Sequence, residues 1–437
     1  MRFLFCTVPL IGHVAPGLPI ARALVERGHE VRWYTGRNFR PRVEATGARF
    51  ESMRAAPDVD EEDLEAAFPG ISRHTGLDAF KFGVKHVFVD PAPAQVEDLE
   101  RILAEFPADA LVSDTAFVGA LFLVERRGGP PRAVYGISAL PLPSRDTAPF
   151  GLGLPPVPSA PGRLRNRALH TLFNWALFRD VEAHYNGVRA RVGLPPSRAG
   201  ILSDSLNSQL YLQGTVARFE YPRSDLPTHV HFIGAFLPGP APGFAPPAWW
   251  CDLHAGRPVV HVTQGTATTA PDQLLIPTLR ALADEEVLVV ATTGGKPVEM
   301  VGLDPLPANA RVERFIPHYH LLPHVDVIVT NGGYGGTHIA LANGVPLVAA
   351  GRTEEKPEVC ARIAWSGAGI DLRTNRPASA RIRAAVRAVL TDPRYRRAAL
   401  RLAGDLARHD APAEAAALLE RLAATRRPVL ATPTRAG

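Results

Sequence analysis

A cluster of glycines separates the apolar run VDVIV from a helical pattern in the second half of the chain. The stretch from Thr330 to Pro346 reads TNGGYGGTHIALANGVP and has four glycines within five residues. Glycine lets a backbone pass close to a bound anion, and the unpaired N–H groups at a helix N-terminus point toward that anion. The pattern predicts a diphosphate site, and the alternative is a flexible loop.

Predicted strands and helices alternate on both sides of this cluster. Near the start, RFLFCTVPL is typical of a buried strand, LPIARALVERGHE has helical spacing and EVRWYTG begins another strand. A similar unit recurs at ALVSDTAFVGALFLVERRGGPPRAVYGI, and the alternation resumes with RPVVHVTQGT, EEVLVVATTGG and VDVIVTNGG. Such alternation predicts an α/β fold with parallel sheets that are covered on both faces.

The length of 437 residues predicts two domains, because a single hydrophobic core stops growing at roughly 250 to 300 residues. The proline-rich stretch FLPGPAPGFAPPAWW at 236–250 is the predicted linker. We therefore expect a first domain at 1–235, a second at 251–405, and a C-terminal helix with a frayed tail at 406–437. Ligands of open parallel sheets bind beyond the C-terminal ends of the strands, so the glycine cluster should face the cleft between the domains.

Composition narrows the classes of partner. Hydrophobic residues make up 46% and charged residues 21%, as in ordinary globular proteins. The net charge is only +5, and we found no basic tract longer than a few residues, so a nucleic-acid partner is not expected. The oligomeric state is not predicted.

Cysteine usage and the N-terminus indicate the compartment. Cys6, Cys251 and Cys360 are far apart and form no C-x-x-C pair, which predicts neither disulfides nor a zinc site. The opening MRFLFCTVPLIGH reads as a first core strand rather than a signal peptide. No apolar run approaches the roughly 20 residues of a membrane span. A cytoplasmic protein is expected.

Two classes of nucleotide-binding protein fit this sequence poorly. A dinucleotide-dependent dehydrogenase needs G-x-G-x-x-G after its first strand and an acidic residue about 20 positions later. This chain has IGHVAP there, and NGGYGG is followed at about that distance by Pro346, Ala349 and Gly351. A P-loop is disfavoured because no G-K-[ST] occurs.

The order of short motifs resembles that of UDP-dependent glycosyltransferases of the GT-B fold, in the branch of bacterial macrolide and natural-product enzymes. The motifs span nearly the whole chain: P-x-x-G-H-x-x-P from Pro9, RGHEV from Arg27, LVSD from Leu111, YPRSDLP, QGT from Gln264, FIPH from Phe315, NGGYGGT, GVP from Gly344 and SGAGIDL from Ser366. The resemblance implies two Rossmann-like, doubly wound domains that face each other across a cleft.

Such enzymes move a sugar from a nucleotide diphosphate to an acceptor hydroxyl with inversion. By this resemblance His13 is the base, and Asp114 binds its other ring nitrogen, following the logic of a Ser-His-Asp triad. A purely structural reading stays open for both residues, since a histidine can pack in a polar loop and an aspartate can cap a helix.

The resemblance also implies the donor site. Amides of the four glycines approach the diphosphate, and amide donors and the helix dipole take the place of a metal, so neither a metal nor a cofactor beyond the co-substrate is expected. Phe315 stacks on the nucleobase, and the backbone of Ile316 reads the edge of the base. These donor residues are Thr266, Phe315, Ile316, Asn331, Gly332, Gly333, Gly335, Gly336, Thr337, Glu355 and Lys356.

Several of these positions depart from the family pattern. Asn331 stands in place of a histidine that binds the diphosphate. Gly336 replaces a residue with a hydroxyl group, which leaves Thr337 as the nearest substitute. Ile339 replaces a glutamate that binds the ribose. Glu355-Lys356 replaces an Asp-Gln pair that binds sugar hydroxyls. Lys356 would suit an acidic donor or would pair with Glu354 or Glu358. The donor is therefore left open between UDP and dTDP sugars.

The acceptor is expected to be small and apolar or aromatic. Phenylalanines of the first half are candidates for its pocket, although they could equally be core residues: Phe82, Phe117 and Phe150, with Phe68, Phe80 and Phe88. The acidic run DVDEEDLE, which holds Asp58 and Asp60, is interpreted as a solvated loop. A catalytically idle relative and a nucleotide-sugar epimerase or hydrolase are the remaining alternatives.

Overall fold

The structure is a computed structural model that describes residues 1–74, 76–204, 207–239, 241, 243–265 and 270–431. It contains two β-sheets, in which every pair of neighbouring strands is parallel. Helices surround both sheets, so the central strands read as continuous apolar runs. The predicted α/β class is confirmed.

The first sheet has seven strands in the order β3-β2-β1-β4-β5-β6-β7. Phe5 of the first strand in the chain lies opposite Trp33 on one neighbouring strand and Val112 on the other. The strands are β1 Arg2–Cys6, β2 Glu30–Thr35, β3 Arg49–Ser52, β4 Ala110–Asp114, β5 Arg132–Gly136, β6 Leu210–Gln213 and β7 Val230–Phe232.

The second sheet has six strands in the order β10-β9-β8-β11-β12-β13. Val262 of β8 lies opposite Ala291 of β9 and Val329 of β11. The strands are β8 Val259–Thr263, β9 Leu288–Thr292, β10 Ala310–Glu313, β11 Val327–Thr330, β12 Leu347–Ala349 and β13 Gly369–Asp371.

The helices follow the strands in both halves. They are α1 Ile11–Val14, α2 Gly17–Glu26, α3 Arg40–Glu44, α4 Leu64–Ala67, α5 Gly76–Phe82, α6 Ala92–Glu105, α7 Val118–Arg127, α8 Ala160–Leu172, α9 Arg179–Arg191, α10 Ile201–Asp204, α11 Leu275–Ala281, α12 His318–Leu321, α13 Tyr334–Ala342, α14 Lys356–Trp365, α15 Ser379–Thr391, α16 Pro393–Leu406 and α17 Ala411–Thr425. Two π-helical segments occur at Gly83–Val89 and Phe173–Leu177. Among the described residues, no helix combines the length and apolar content that crossing a membrane requires.

Both sheets reverse their strand order at one point, between β1 and β4 and between β8 and β11. In doubly wound sheets the loops after such a pair of strands open a crevice at the C-terminal edge. The loop after β1 and the end of β4 therefore meet in the first sheet. Gln264 and Asn331, which directly follow β8 and β11, meet in the second.

The end of the chain returns to the first sheet. Leu419 and Leu422 of α17 belong to the same buried apolar cluster as Phe3 and Phe5 of β1. Beyond the helix, the Val429 amide donates to the Gln209 carbonyl over 2.9 Å. The structure thus differs from the expected frayed tail as far as residue 431, because these residues hydrogen-bond to the first domain. Residues 432–437 lie outside the described part of the chain.

The predicted linker boundaries stay a prediction. Most of the described residues of 236–250 form neither helix nor strand, as the proline density suggested. The exception is a 3-10 segment at Ala248–His254, which begins within the predicted linker and ends beyond it.

A buried ion cluster joins the two halves. The Arg362 guanidinium of α14 donates to the Glu220 carboxylate (Nε–Oε2, 2.9 Å) and to the Glu358 carboxylate (Nη1–Oε2, 2.9 Å), and it lies 4.0 Å from the centre of the Tyr221 ring. The side chains of Arg362 and Glu220 are each only 1% exposed. Burial alone would raise the pKa of Glu220, but Arg362 and Arg223 hold it below its usual value.

Removing Arg362 should destabilise the protein because two carboxylates would lose their buried counterion. We expect Arg362→Met to lower the free energy of unfolding by about 3–5 kcal/mol. The matched control is Arg376→Met, which breaks an exposed pair with Asp272 and should cost less than about 1 kcal/mol. Denaturant midpoints measure both changes. Equal midpoints for the two variants would show that the buried cluster does not stabilise the fold.

Candidate functional site

The first-sheet crevice holds His13 and Asp114. His13 lies on α1 in the loop after β1, and Asp114 is the last residue of β4, so the reversal of strand order brings them together. The His13 Nδ1 to Asp114 Oδ1 distance is 2.9 Å. A carboxylate only accepts, so this contact places the imidazole proton on Nδ1 and leaves Nε2 as an acceptor. Within the described chain, Nε2 has no hydrogen-bond partner.

Asp114 is held rigidly. It is fully buried, and its carboxylate also accepts the Val8 amide (2.9 Å) and the Ala116 amide (2.8 Å). Three donors satisfy a charge that would otherwise be costly to bury. Asp114 does not cap α7, whose N-cap is Phe117 without a side-chain cap, so that alternative is wrong. Its bond to the Ala116 amide is a structural contact that coexists with its contact to His13.

Tyr135 and Glu61, which the sequence analysis did not select for this site, and the candidate phenylalanine Phe88 surround His13. The Tyr135 hydroxyl donates to the His13 carbonyl over 2.6 Å, and Glu61 accepts the Ile11 amide over 2.6 Å at the start of α1. The Phe88 ring lies 5.6 Å from the imidazole. Glu61 belongs to the acidic run that we interpreted as a solvated loop. That interpretation is wrong for Glu61, and Asp58 of the same run binds the Arg37 guanidinium at 3.0 Å.

The glycine cluster forms the N-terminus of α13. Gly332 has a φ of 82°, and a Cβ there would stand 2.5 Å from Cys360 Sγ, so only glycine fits. Among the described residues, no hydrogen-bond acceptor reaches the amides of Gly333, Gly335 and Gly336. A Cβ on Gly335 or Gly336 would meet no atom within 4 Å. The part of the chain that the structure describes therefore leaves these N–H groups without an acceptor.

Asn331 and Thr337 flank these glycines differently. Asn331 Nδ2 donates to the Gln264 carbonyl over 2.5 Å, which ties together the loops after β11 and β8. Thr337, in the first turn of α13, is fully buried, and among the described residues its hydroxyl has no hydrogen-bond partner. Its role at the donor site stays a prediction. Thr266 lies outside the described residues.

Phe315 and Ile316 follow β10 and have opposite environments. Phe315 is 62% exposed, whereas Ile316 is 2% exposed and packs in the core of the second domain. A ring so exposed next to buried residues is available as a flat apolar surface.

Glu355 and Lys356 begin α14. The Lys356 ammonium pairs with the Glu354 carboxylate, one of the two partners that we considered. Burial would lower the pKa of Lys356, but Glu354 and Glu355 outweigh it and raise the pKa. Burial raises the pKa of the Glu355 carboxyl, while Lys356 and, more weakly, His13 oppose that rise. Glu355 of the second domain and His13 of the first therefore lie within electrostatic reach of each other.

The predicted acceptor phenylalanines do not converge. Phe82 lines a cavity of about 460 Å³ together with Phe68 and His86. Phe117 is 1% exposed and packs in the core with its ring against Tyr34, so it offers no open face. Phe150 is 9% exposed and packs against the second domain. Of the wider set, Phe88 is the ring that contacts His13.

Comparison with known proteins supplies the class. The model for the Erythromycin biosynthesis protein CIII-like, C-terminal domain family matches residues 276–422. A solved calicheamicin glycosyltransferase covers 97% of this chain and 98% of its own, with a TM-score of 0.74 at 22% identity. The glycosyltransferase SnogD from Streptomyces nogalater has a TM-score of 0.65 at 25% identity and covers 97% and 99%. The fold is thus that of the GT-B glycosyltransferases.

The particular branch follows from curated relatives. The chain is 53% identical to 4'-demethylrebeccamycin synthase of Lentzea aerocolonigenes over 96% of this chain and 99% of the relative. It is 36% identical to UDP-glycosyltransferase 2 of Phaeomoniella chlamydospora, over 96% and 95%. The chain belongs to the natural-product family of glycosyltransferases, and the resemblance inferred from its motifs is confirmed.

Proposed function

We propose that this glycosyltransferase inverts the anomeric carbon of a UDP or dTDP sugar and joins it to a hydroxyl of a small apolar or aromatic acceptor. One arrangement carries the proposal. The unpartnered His13 Nε2 lies where the strand order of the first sheet reverses, and the free amides of α13 lie where the strand order of the second sheet reverses. These two sheets belong to the two domains that share the cleft.

The reaction needs a single displacement. The acceptor oxygen attacks the anomeric carbon while the bond from that carbon to the diphosphate oxygen breaks. His13 Nε2 takes the hydroxyl proton, and the Asp114 carboxylate stabilises the imidazolium that forms. The leaving diphosphate gains negative charge, which the amides of Gly333, Gly335 and Gly336 and the dipole of α13 stabilise.

The remaining donor contacts are assigned from the exposure and the pairing of the side chains. Phe315 supplies a stacking surface for the nucleobase, with the Ile316 backbone beside it. Glu355 directly precedes α14, next to the glycine loop, and is the candidate for a hydroxyl of the donor sugar, whereas Lys356 is already paired with Glu354. On this proposal the transfer chemistry needs neither a metal nor another cofactor. A structure of a spinosyn rhamnosyltransferase with thymidine diphosphate, which has a TM-score of 0.66 at 19% identity, shares the fold alone.

Loss of the proposed base should stop turnover without affecting nucleotide binding. We expect His13→Ala to reduce the rate of transfer from UDP or dTDP sugars to a panel of phenols by ~10²–10⁴-fold. Calorimetry with UDP and dTDP should give unchanged dissociation constants.

The control is His409→Ala, which removes a histidine that also contacts a carboxylate at 2.9 Å, that of Glu414. Product formation at the wild-type rate by His13→Ala would remove His13 from the mechanism. Nucleotide binding by a wild type that turns over no donor and acceptor pair would instead favour the idle relative.

Adding a methyl group beside the free amides should weaken nucleotide binding without lowering the stability of the fold. We expect Gly335→Ala to leave the unfolding midpoint unchanged or slightly higher, because alanine favours a helix by roughly 0.5–1 kcal/mol. Affinity for UDP and dTDP should fall at least roughly tenfold, about 1.4 kcal/mol, because the backbone can no longer approach a phosphate closely.

Gly404→Ala on α16 is the matched control, since a Cβ there also meets no atom within 4 Å. Unchanged nucleotide affinity in Gly335→Ala would place the diphosphate elsewhere.

A further inference from the structure

Three potential metal ligands meet on the outer side of the first domain. His86 Nδ1 lies 2.7 Å from Asp90 Oδ2, and His184 Nε2 lies 2.7 Å from Asp90 Oδ1. One ligand atom from each of the three residues falls within 4.8 Å of the other two. These are different side chains from the His13–Asp114 pair. We call this group the His86–Asp90–His184 cluster.

Packed helices hold the cluster in place. His86 belongs to the π-helical segment Gly83–Val89, and Asp90 directly follows it, with its amide bonded to the Lys85 carbonyl at 2.9 Å. His184 comes from α9, whose buried face packs in the same apolar cluster as Val84 and Val89. The geometry of the three ligands is therefore set by two anchored elements, and π-helical segments are frequent at functional sites.

We propose that the His86–Asp90–His184 cluster binds one Zn²⁺ ion. Two imidazole nitrogens and one carboxylate oxygen are ligands that zinc prefers, whereas Mg²⁺ and Ca²⁺ prefer sites made of oxygen. On binding, each imidazole carries its proton on the nitrogen that faces away, so that the lone pair of the other nitrogen points at the ion.

The change in geometry that the ion requires is small. Tetrahedral bonds of about 2.0–2.1 Å separate neighbouring ligand atoms by about 3.3 Å. With Asp90 Oδ2 as the ligand oxygen, its distance from His86 Nδ1 would open from 2.7 Å by about 0.6 Å. His184 Nε2, which lies 2.7 Å from the other carboxylate oxygen Oδ1, would turn toward the same ion. Rotation of partly exposed side chains accommodates this change, since His86, Asp90 and His184 are between 27% and 39% exposed.

Surrounding charges leave room for the ion. Arg191 Nη2 lies 3.6 Å from Asp90 Oδ1, but its side chain is 61% exposed and can turn into water. Lys81 and Lys85 are paired with the carboxylate of Asp180. His86 and Asp90 line the cavity of about 460 Å³ that also holds Phe82, so a water molecule can reach the fourth position of the ion.

A bound ion would fasten the π-helical segment to α9. The segment also carries Phe88, whose ring centre lies 5.6 Å from that of His13. The ion would thus stabilise the wall beside the imidazole without taking part in sugar transfer.

Zinc titration of the untagged, full-length protein tests the site. After EDTA treatment and dialysis, competition with a chromophoric chelator should show one tightly bound Zn²⁺ per chain. His184→Gln and Asp90→Asn should each weaken that binding by at least ~100-fold, the upper end of what the loss of an outer-shell partner costs. Co²⁺ should give the visible absorption of a tetrahedral site in the wild type only.

His74→Gln is the matched control. His74 and Asp78 form another histidine–aspartate pair at i and i+4. They do not belong to the group of potential metal ligands found among the described residues. This variant should retain zinc affinity within about twofold. A wild type that binds no more zinc than Asp90→Asn would overturn the proposal, as would equal losses in His74→Gln and His184→Gln. Melting temperatures in EDTA identify any variant that fails to fold.

Discussion

The organisation of the site depends on a carboxylate buried at the end of a strand. Asp114 has no exposed surface, and a buried charge is tolerated only when hydrogen-bond donors surround it. Two of its donors are backbone amides of the loops after β1 and β4, and the third is the His13 imidazole. Because the backbone fixes the carboxylate, the carboxylate fixes both the proton position and the orientation of the ring. His13 Nε2 is left as the group that is available to a substrate.

A second constraint holds the helix after the glycine loop against the first domain. Helix α13, whose N-terminus carries the free amides, is bonded to the first domain: the Tyr334 hydroxyl contacts Gln213 Nε2 at 2.6 Å, and His338 Nε2 contacts Thr215 Oγ1 at 2.6 Å. Burial lowers the pKa of His338 to about 4, so this contact is uncharged at neutral pH. The distance between the proposed base and the proposed diphosphate site is therefore maintained by specific polar contacts as well as by the Arg362 cluster.

Local patterns predicted the strands, the helices and the glycine loop because their signals are local, whereas the contact between His13 and Asp114 was expected only from the family resemblance. Strands of continuous apolar residues, the glycine loop before a helix, and a histidine one short loop after the first strand are all visible in sequence. Side-chain direction is not. The side chains of Thr337 and Phe117 are both buried, and the local pattern of residues did not predict that burial. Glu61 was assigned to a solvated loop because its partner, the Ile11 amide, is 50 residues away.

A crystal structure with a nucleoside diphosphate and a phenolic acceptor tests the central claim most directly. The account predicts diphosphate oxygens within about 3 Å of the amides of Gly333 to Gly336, and an acceptor oxygen within about 3 Å of His13 Nε2. The imidazole should keep its bond to Asp114 in that complex. A diphosphate bound away from the start of α13, or an imidazole turned from the cleft when both ligands are present, would contradict it.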